Sequence, residues 1–229
     1  MKGLKKALLV LLMGCTPSNG IVSEADTDRI VQYVSRSSSA VVESSRRAVV
    51  EISSFDEYGN SIKGSGAYVQ HKGKRFILTA AHVVCGSNVA MVSNGDEKLI
   101  ADVVYCDPDS DIAALKIEGM FTRQPLKWKT SVPSIGDDLL YTGNPNAFHQ
   151  LTISGKASGH IGTNIVLHSY AWGGASGSVV LDMKGRIVGI VSAVDVGGGI
   201  IGPQIVEDIV IVVPIWKLKI DTLVDELSN

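Results

Sequence analysis

From Ala48 to Val213 the apolar residues come in short, mostly β-branched runs, separated by glycine and polar residues. This pattern predicts strands at Ala48–Ile52, Gly66–Gln70, Phe76–Thr79, Val89–Val92, Ala101–Tyr105 and Ala113–Ile117. It predicts six more at Asp138–Thr142, Leu151–Ser158, Ile165–Leu167, Val179–Leu181, Ile187–Val194 and Val210–Val213. Tyr58-Gly59-Asn60, His71-Lys72-Gly73-Lys74, Asn94-Gly95 and Lys184-Gly185 read as turns. Many short strands without strand–helix alternation argue for an all-β fold of barrels or sandwiches. The pattern changes after Pro214. Ile215, Leu218, Leu223, Val224 and Leu227 recur near helical period, with Asp221, Asp225 and Glu226 toward the other side, so residues 215–227 are expected to form a terminal helix. Thr16 to Ser45 is serine-rich, with a weak amphipathic stretch at Ile30, Val31 and Val34. The expected organisation is a leader at 1–14, a tether with a short helix at 15–45, and a domain at 46–229. That domain divides at about 128/129, with strands continuing to 214.

Hydrophobic residues make up 45% of the chain, charged residues 19%, and the formal net charge is -2. These values describe a globular chain with ample core. They give no reason to expect a nucleic-acid partner, because no Lys/Arg run occurs beyond the N-terminus. At the start, Lys2, Lys5 and Lys6 precede the apolar run Ala7 to Met13, then Gly14-Cys15. A basic region, a short apolar region and a small residue before a cut form an export signal. The run is too short to span a bilayer core of about 30 Å. Leu12-Met13-Gly14-Cys15 resembles a bacterial lipobox, in which the cysteine is lipidated. The expectation is an exported lipoprotein, held to a membrane through Cys15 and facing the periplasm or cell exterior. Plain secretion with an incidental Cys15, or no export, are the alternatives.

After such a cut, Cys85 and Cys106 remain. They flank an expected hairpin. A two-residue turn centred on Gly95-Asp96, carried back along both strands, sets Cys85 opposite Cys106. In an oxidising compartment this suggests a disulfide. Two buried free thiols are the alternative, and a one-residue shift of the turn would remove the register.

Three segments carry chemistry: Leu78-Thr79-Ala80-Ala81-His82-Val83-Val84, Asp109-Ser110-Asp111-Ile112-Ala113-Ala114-Leu115, and Gly173-Gly174-Ala175-Ser176-Gly177-Ser178. A serine hydroxyl is a poor nucleophile until a histidine takes its proton, and that histidine needs a carboxylate to hold its tautomer. Small alanines leave the His82 imidazole uncovered. Asp111 opens an apolar strand, where a carboxylate needs partners to offset desolvation. The glycines around Ser176 let a carbonyl approach the main chain, so the N–H groups of Gly174 and Ser176 can meet a developing oxyanion. Taken singly, each segment also fits a structural role: a strand-end histidine, a turn aspartate, a glycine-rich hairpin. Together they point to a His82, Asp111, Ser176 triad. No Cys/His spacing suggests a metal, and no cofactor is expected.

These residues resemble the trypsin-like serine peptidases of the chymotrypsin fold, and most closely the bacterial HtrA/Do protease domain. The resemblance runs from about Ala48 to Leu227. It rests on Gly64-Ser65-Gly66, Thr79 to Val84, Asp107 to Ala113, Gly143-Asn144-Pro145 with Leu151 to Gly155, Gly189-Ile190-Val191-Ser192, and Val213-Pro214. It implies two perpendicular six-stranded β-barrels with a C-terminal helix, the triad lying in the cleft between barrels. It further implies that Ser192 supports the aspartate, and that polypeptides are the substrates. Ala175 stands where the family usually has an acidic or amide residue, so activation by ion pairing with a new N-terminus is not expected. Ser178 and Val179 replace the common Gly-Pro.

Tyr170, Ala171, Trp172 and Gly173, with Ser192, Ala193 and Val194, are expected to line the primary substrate pocket. Tyr170 occupies the place of a trypsin-like selector for basic side chains, which suggests an apolar pocket; Tyr170 and Trp172 would otherwise simply pack as core or rim. The leading expectation is a serine endopeptidase acting on unfolded or extended chains. A catalytically inactive peptide-binding lipoprotein on the same fold is the alternative, and an esterase is a more remote one.

Overall fold

The computed structural model describes residues 39–228 except 57, 96, 118–123, 146–148 and 200–201, and leaves aside the side chains of 194–208. The expected leader, Cys15 and the stretch around Ile30, Val31 and Val34 lie outside the described residues.

Two closed antiparallel barrels of six strands each make up the fold. In the first, β1 (Val49–Phe55), β4 (Val89–Asn94), β5 (Glu97–Asp107), β6 (Ile112–Ile117), β3 (Lys74–Thr79) and β2 (Ser61–His71) are neighbours in that order, and pairing of β1 with β2 closes the ring. A short β7 (Leu126–Lys127) adds to β2 in parallel. In the second, the order is β10 (Asn164–His168), β13 (Gly202–Pro214), β12 (Ile187–Gly199), β11 (Val179–Asp182), β8 (Asp138–Gly143) and β9 (Leu151–Ile161), closed by β9 against β10. Each strand expected from the apolar pattern falls in one of these strands, apart from a single residue, Ala48, at the first boundary. The β4–β5 ladder has Asn94 opposite Glu97 and Val89 opposite Asp102, the register expected for this hairpin.

Ile52, Tyr68, Phe76, Leu78, Ile112 and Leu115 fill the first barrel, and Leu139, Tyr141, Leu167, Val180, Val210 and Val212 the second. Burying each such side chain contributes about 1.5–3 kcal/mol. β11 and β12 serve both sides. Val180, Val188 and Val191 belong to the second core, whereas Val179, Leu181, Ile187 and Ile190 join the apolar cluster that continues into the first. Strands buried on both faces have no polar side to show, which is why they read as unbroken apolar runs.

Three expectations need correction. Residues 39–48 are helical, so β1 begins at Val49 and not at Ala48. The helix's inner face is Val41, Ser45 and Ala48, too weakly apolar to stand out. Polar bonds hold it to the second barrel instead: Ser45 Oγ donates to Thr142 Oγ1 at 2.8 Å, and Arg46 Nη1 to the Gln150 carbonyl. The expected helix 215–227 is divided into a 3-10 turn at Ile215–Lys217 and a helix at Ile220–Glu226. Ile215 and Leu218 are both buried while Trp216 is 58% exposed. Leu218 takes extended dihedrals, φ -66° and ψ 124°, which end the turn and separate it from the helix. Finally, the β12–β13 ladder runs on through Gly197, Gly198 and Gly199, beyond the expected strand end at Val194.

Asp182 holds the turn between β11 and β12. Its carboxylate accepts from the Lys184 and Arg186 N–H groups, each at 2.9 Å, from Arg186 Nε at 2.6 Å and from Ser131 Oγ at 2.9 Å. Burial alone would raise its pKa, but these donors outweigh burial and leave it below the ordinary value of 3.8. A depressed carboxylate stabilises the fold above its unfolded pKa, and that contribution is lost as pH falls through the folded value. Stability should therefore be level from pH 7 to 5 and decline below about pH 4. Asp182→Asn should cost about 1–3 kcal/mol at pH 7 and flatten the acid limb. Urea midpoints measured at pH 7 and pH 3 check both; an equal midpoint loss at the two pH values would refute the assignment.

Candidate active site

β3 pairs with β6 so that Thr79 faces Ala113 and Leu78 faces Ala114. Carrying both strands past this pairing brings the segment after Thr79 beside the one before Ile112. Ala81–Val84 then forms one helical turn, closed by the Cys85 N–H to the Ala81 carbonyl at 2.8 Å. Ala81, Val83 and Val84 are buried, and His82 projects outward with its side chain 47% exposed. Asp111 takes φ +52°, a left-handed conformation that aspartate tolerates better than most residues. Its N–H bonds the Pro108 carbonyl at 3.2 Å.

The Asp111 carboxylate is surrounded by donors. The His82 main-chain N–H reaches Oδ1 at 3.0 Å, and His82 Nδ1 lies 3.0 Å from both oxygens. Ser192 Oγ donates to Oδ2. Burial pushes the Asp111 pKa up, but the bonds from His82 and Ser192 prevail and hold it below 3.8. An ionised carboxylate only accepts, so the proton on Nδ1 faces it and Nε2 is left as an acceptor.

Ser176 lies in the loop before β11. The Ala175 N–H bonds the Trp172 carbonyl at 2.9 Å, the Ser178 N–H bonds the Ala175 carbonyl at 3.0 Å, and the Gly177 N–H bonds the Val191 carbonyl at 2.7 Å. Gly177 has φ +87°, and a Cβ there would meet the Ser65 carbonyl at 2.1 Å and Thr79 Oγ1 at 2.3 Å. Only glycine fits so close an approach. Ser176 Oγ donates to the Ser192 carbonyl at 3.4 Å, a long contact. Ser192 thus touches Asp111 with its hydroxyl and Ser176 with its carbonyl. Among the described residues, Ser176 Oγ makes no hydrogen bond to His82, and neither the Gly174 nor the Ser176 N–H has an acceptor.

The residues expected to line the pocket differ in what they present. Tyr170 and Trp172 are 51% and 41% exposed and stack with ring centroids 6.2 Å apart. Tyr141 OH donates to the Tyr170 carbonyl, and burial pushes the Tyr141 phenol pKa upward. Gly173 and Ala193 are exposed, Ser192 is half-buried, and the Val194 side chain lies outside the described residues. The Ala171 side chain is packed in the second core, so only its main chain can face a substrate.

Cys85 and Cys106 are joined, with Sγ atoms 2.02 Å apart and Cα atoms 6.0 Å apart. The bond ties the residue that closes the His82 turn to the strand leading toward Asp111. Closing a loop of 21 residues is worth about 3 kcal/mol in the chain-entropy account.

Ser65 escaped the sequence reading except as part of a glycine-flanked motif. It is fully buried in β2, and its hydroxyl donates to the Gly174 carbonyl at 2.7 Å and accepts from the Asn144 N–H at 2.8 Å. A polar residue immediately before the run Gly66-Ala67-Tyr68-Val69 was the available signal. Close by, Ser178 Oγ is buried without a hydrogen-bond partner among the described residues, and a Cβ on Gly143 would meet it at 2.3 Å.

The family described as trypsin-like peptidase domain matches residues 64–190. A probable periplasmic serine endoprotease DegP-like of Ectopseudomonas mendocina (strain ymp) is 31% identical over 150 residues, covering 61% of this chain and 31% of that protein. The serine protease Do-like HtrA of Lactobacillus helveticus is 29% identical over 143 residues, covering 56% of this chain and 35% of the relative. The chain thus spans about a third of the length of these curated relatives. Among solved structures, the active form of the Rv3671c protease from M. tuberculosis aligns with TM-score 0.63 and 22% identity, over 82% of each chain. The serine endoprotease from Yersinia pestis aligns with TM-score 0.65 and 24% identity, over 84% of this chain and 67% of that one. Both share the two-barrel, chymotrypsin-like fold.

Proposed function

The chain belongs to the trypsin-like peptidase family, and on that footing we propose that it is a serine endopeptidase cleaving unfolded or extended polypeptides through His82, Asp111 and Ser176. The observation that carries this reading is the Asp111 carboxylate, which accepts from both the main-chain N–H and Nδ1 of His82 and so leaves Nε2 free to act as a base. Ser176 Oγ leaves the Ser192 carbonyl by rotation about χ1 into another staggered well, attacks the scissile carbonyl carbon, and passes its proton to Nε2. The carbonyl oxygen becomes an oxyanion held by the Gly174 and Ser176 N–H groups. Nε2 then gives the proton to the leaving amine nitrogen as the carbon–nitrogen bond breaks, and the acyl group remains on Ser176. Water repeats the sequence and frees the acid. Asp111 stabilises the imidazolium throughout.

One observation favours the inactive, peptide-binding reading: the Ser176 hydroxyl contacts Ser192 and not His82. A fluorophosphonate probe decides between them. Labelling of the wild type that disappears in Ser176→Ala supports the peptidase; an unlabelled, folded wild type overturns it.

The proposal places the enzyme outside the cytoplasm, anchored through lipidated Cys15. Lys2, Lys5 and Lys6 before an apolar run, and the Cys85–Cys106 bond, support export. Labelled palmitate should enter the wild type in a bacterial host and not Cys15→Ser; equal incorporation in both would refute the anchor.

A further inference from the structure

Ser65 spends every hydrogen-bonding group it has on other segments that form the site. Its N–H donates to the Ser176 carbonyl at 2.7 Å, and its carbonyl accepts from Thr79 Oγ1 at 2.7 Å. Its hydroxyl oxygen accepts from the Asn144 N–H at 2.8 Å, which leaves the hydroxyl proton to point to the Gly174 carbonyl at 2.7 Å. The peptide between Gly174 and Ala175 is therefore held at both polar atoms, by Ser65 at its oxygen and by the Trp172 carbonyl at its N–H. The two N–H groups assigned to the oxyanion, those of Gly174 and Ser176, belong to the peptides on either side of it.

Among the described residues no other side chain bonds these peptides, and the remaining support is main-chain: the Ser178 N–H holds the Ala175 carbonyl at 3.0 Å. Gly174 sits at φ +95°, where glycine's freedom leaves the backbone unrestrained by a side chain. Ala175 is 1% exposed and has no polar atom beyond its main chain. We infer that Ser65 is the positioning residue of the oxyanion loop, its hydroxyl presenting the Gly174 and Ser176 N–H groups in the free protein without a ligand, partner or N-terminal insertion. The inference rests on the peptidase reading above. It makes the enzyme competent as folded, and places the control of its activity elsewhere than in assembly of the oxyanion site.

The test uses the full chain, with casein as substrate and a fluorophosphonate as probe, whose phosphoryl oxygen occupies the same donors. Removing one oxyanion donor typically costs about 10²–10³ in kcat, so loosening two should cost about 10–100-fold. Ser65→Ala should lower kcat by that factor with KM within about threefold of wild type, and slow phosphonylation in parallel. The pH midpoint of activity should not move, because the bonds of His82 to Asp111 are untouched. Ser65→Cys, of similar volume with a weak donor, should fall between Ser65→Ala and wild type. Should Ser65→Ala fail to fold, Ser65→Cys decides by the same criteria. A folded variant with kcat unchanged, or one whose loss lies in KM or in a displaced pH midpoint, overturns the inference while leaving the peptidase reading intact. An unlabelled wild type overturns both.

Discussion

Ser176→Ala is expected to turn casein over about 10⁶-fold more slowly than the wild-type protein, with its fold intact. The magnitude follows from what the hydroxyl does. Without Oγ there is no acyl-enzyme, and the His82 base has no proton to take from the nucleophile. What survives is a cleft that binds a chain and donors that favour an oxyanion, worth about 10³–10⁴ over water. Because nucleophile and base act as a unit, His82→Ala should lose about as much, and the double variant no more than either. Substitution leaves the loop where it is. The Ser176 main chain, not its hydroxyl, is what Ser65 holds, and Oγ makes only a long contact to Ser192. Active-site titration and kcat on casein provide the measurement. Residual turnover equal in wild type and variant would mean that catalysis lies elsewhere.

The second large effect is at Asp111. Asp111→Asn preserves shape and should lower kcat about 10⁴-fold. The carboxylate presently accepts from the His82 main-chain N–H, His82 Nδ1 and Ser192 Oγ. An amide offers one oxygen and one NH₂ in place of two oxygens. If the oxygen stays with the His82 main-chain N–H, the NH₂ turns toward Nδ1 and Ser192. Nδ1 must then become the acceptor, so the imidazole proton moves to Nε2, where it blocks transfer from Ser176. The loss should appear in kcat, with KM little changed and phosphonylation by the probe slowed in step. A folded Asp111→Asn protein within tenfold of wild type would show that His82 needs no carboxylate to set its tautomer.

Local signals made most of the fold legible. The β4–β5 register follows from a turn that spans only a few residues, and each core strand carries its own apolar run. What escaped is what local signals do not encode. β7 has only Leu126 and Lys127, and exists through pairing with β2. The helix at 39–48 is tied down by Ser45 and Arg46 reaching residues about a hundred positions away. The same distinction holds at the site. His82, Asp111 and Ser176 each sit in a telling neighbourhood of small or apolar residues. Ser65 has partners 109 and 79 positions off, Gly174 and Asn144, and no window of sequence contains them together.

Gly143 and Ser178, on facing segments of the second barrel, cannot drift independently through evolution. The serine side chain occupies the volume that any β-carbon at 143 would need. A lineage in which position 178 changes to glycine removes the 2.3 Å clash and leaves Ser65 Oγ at 3.3 Å, room for a small residue at 143, whereas one that enlarges 143 first passes through a crowded, poorly folding intermediate. The order of the two changes is therefore constrained, and ancestry along this branch should show the loss of the serine preceding any gain at its neighbour.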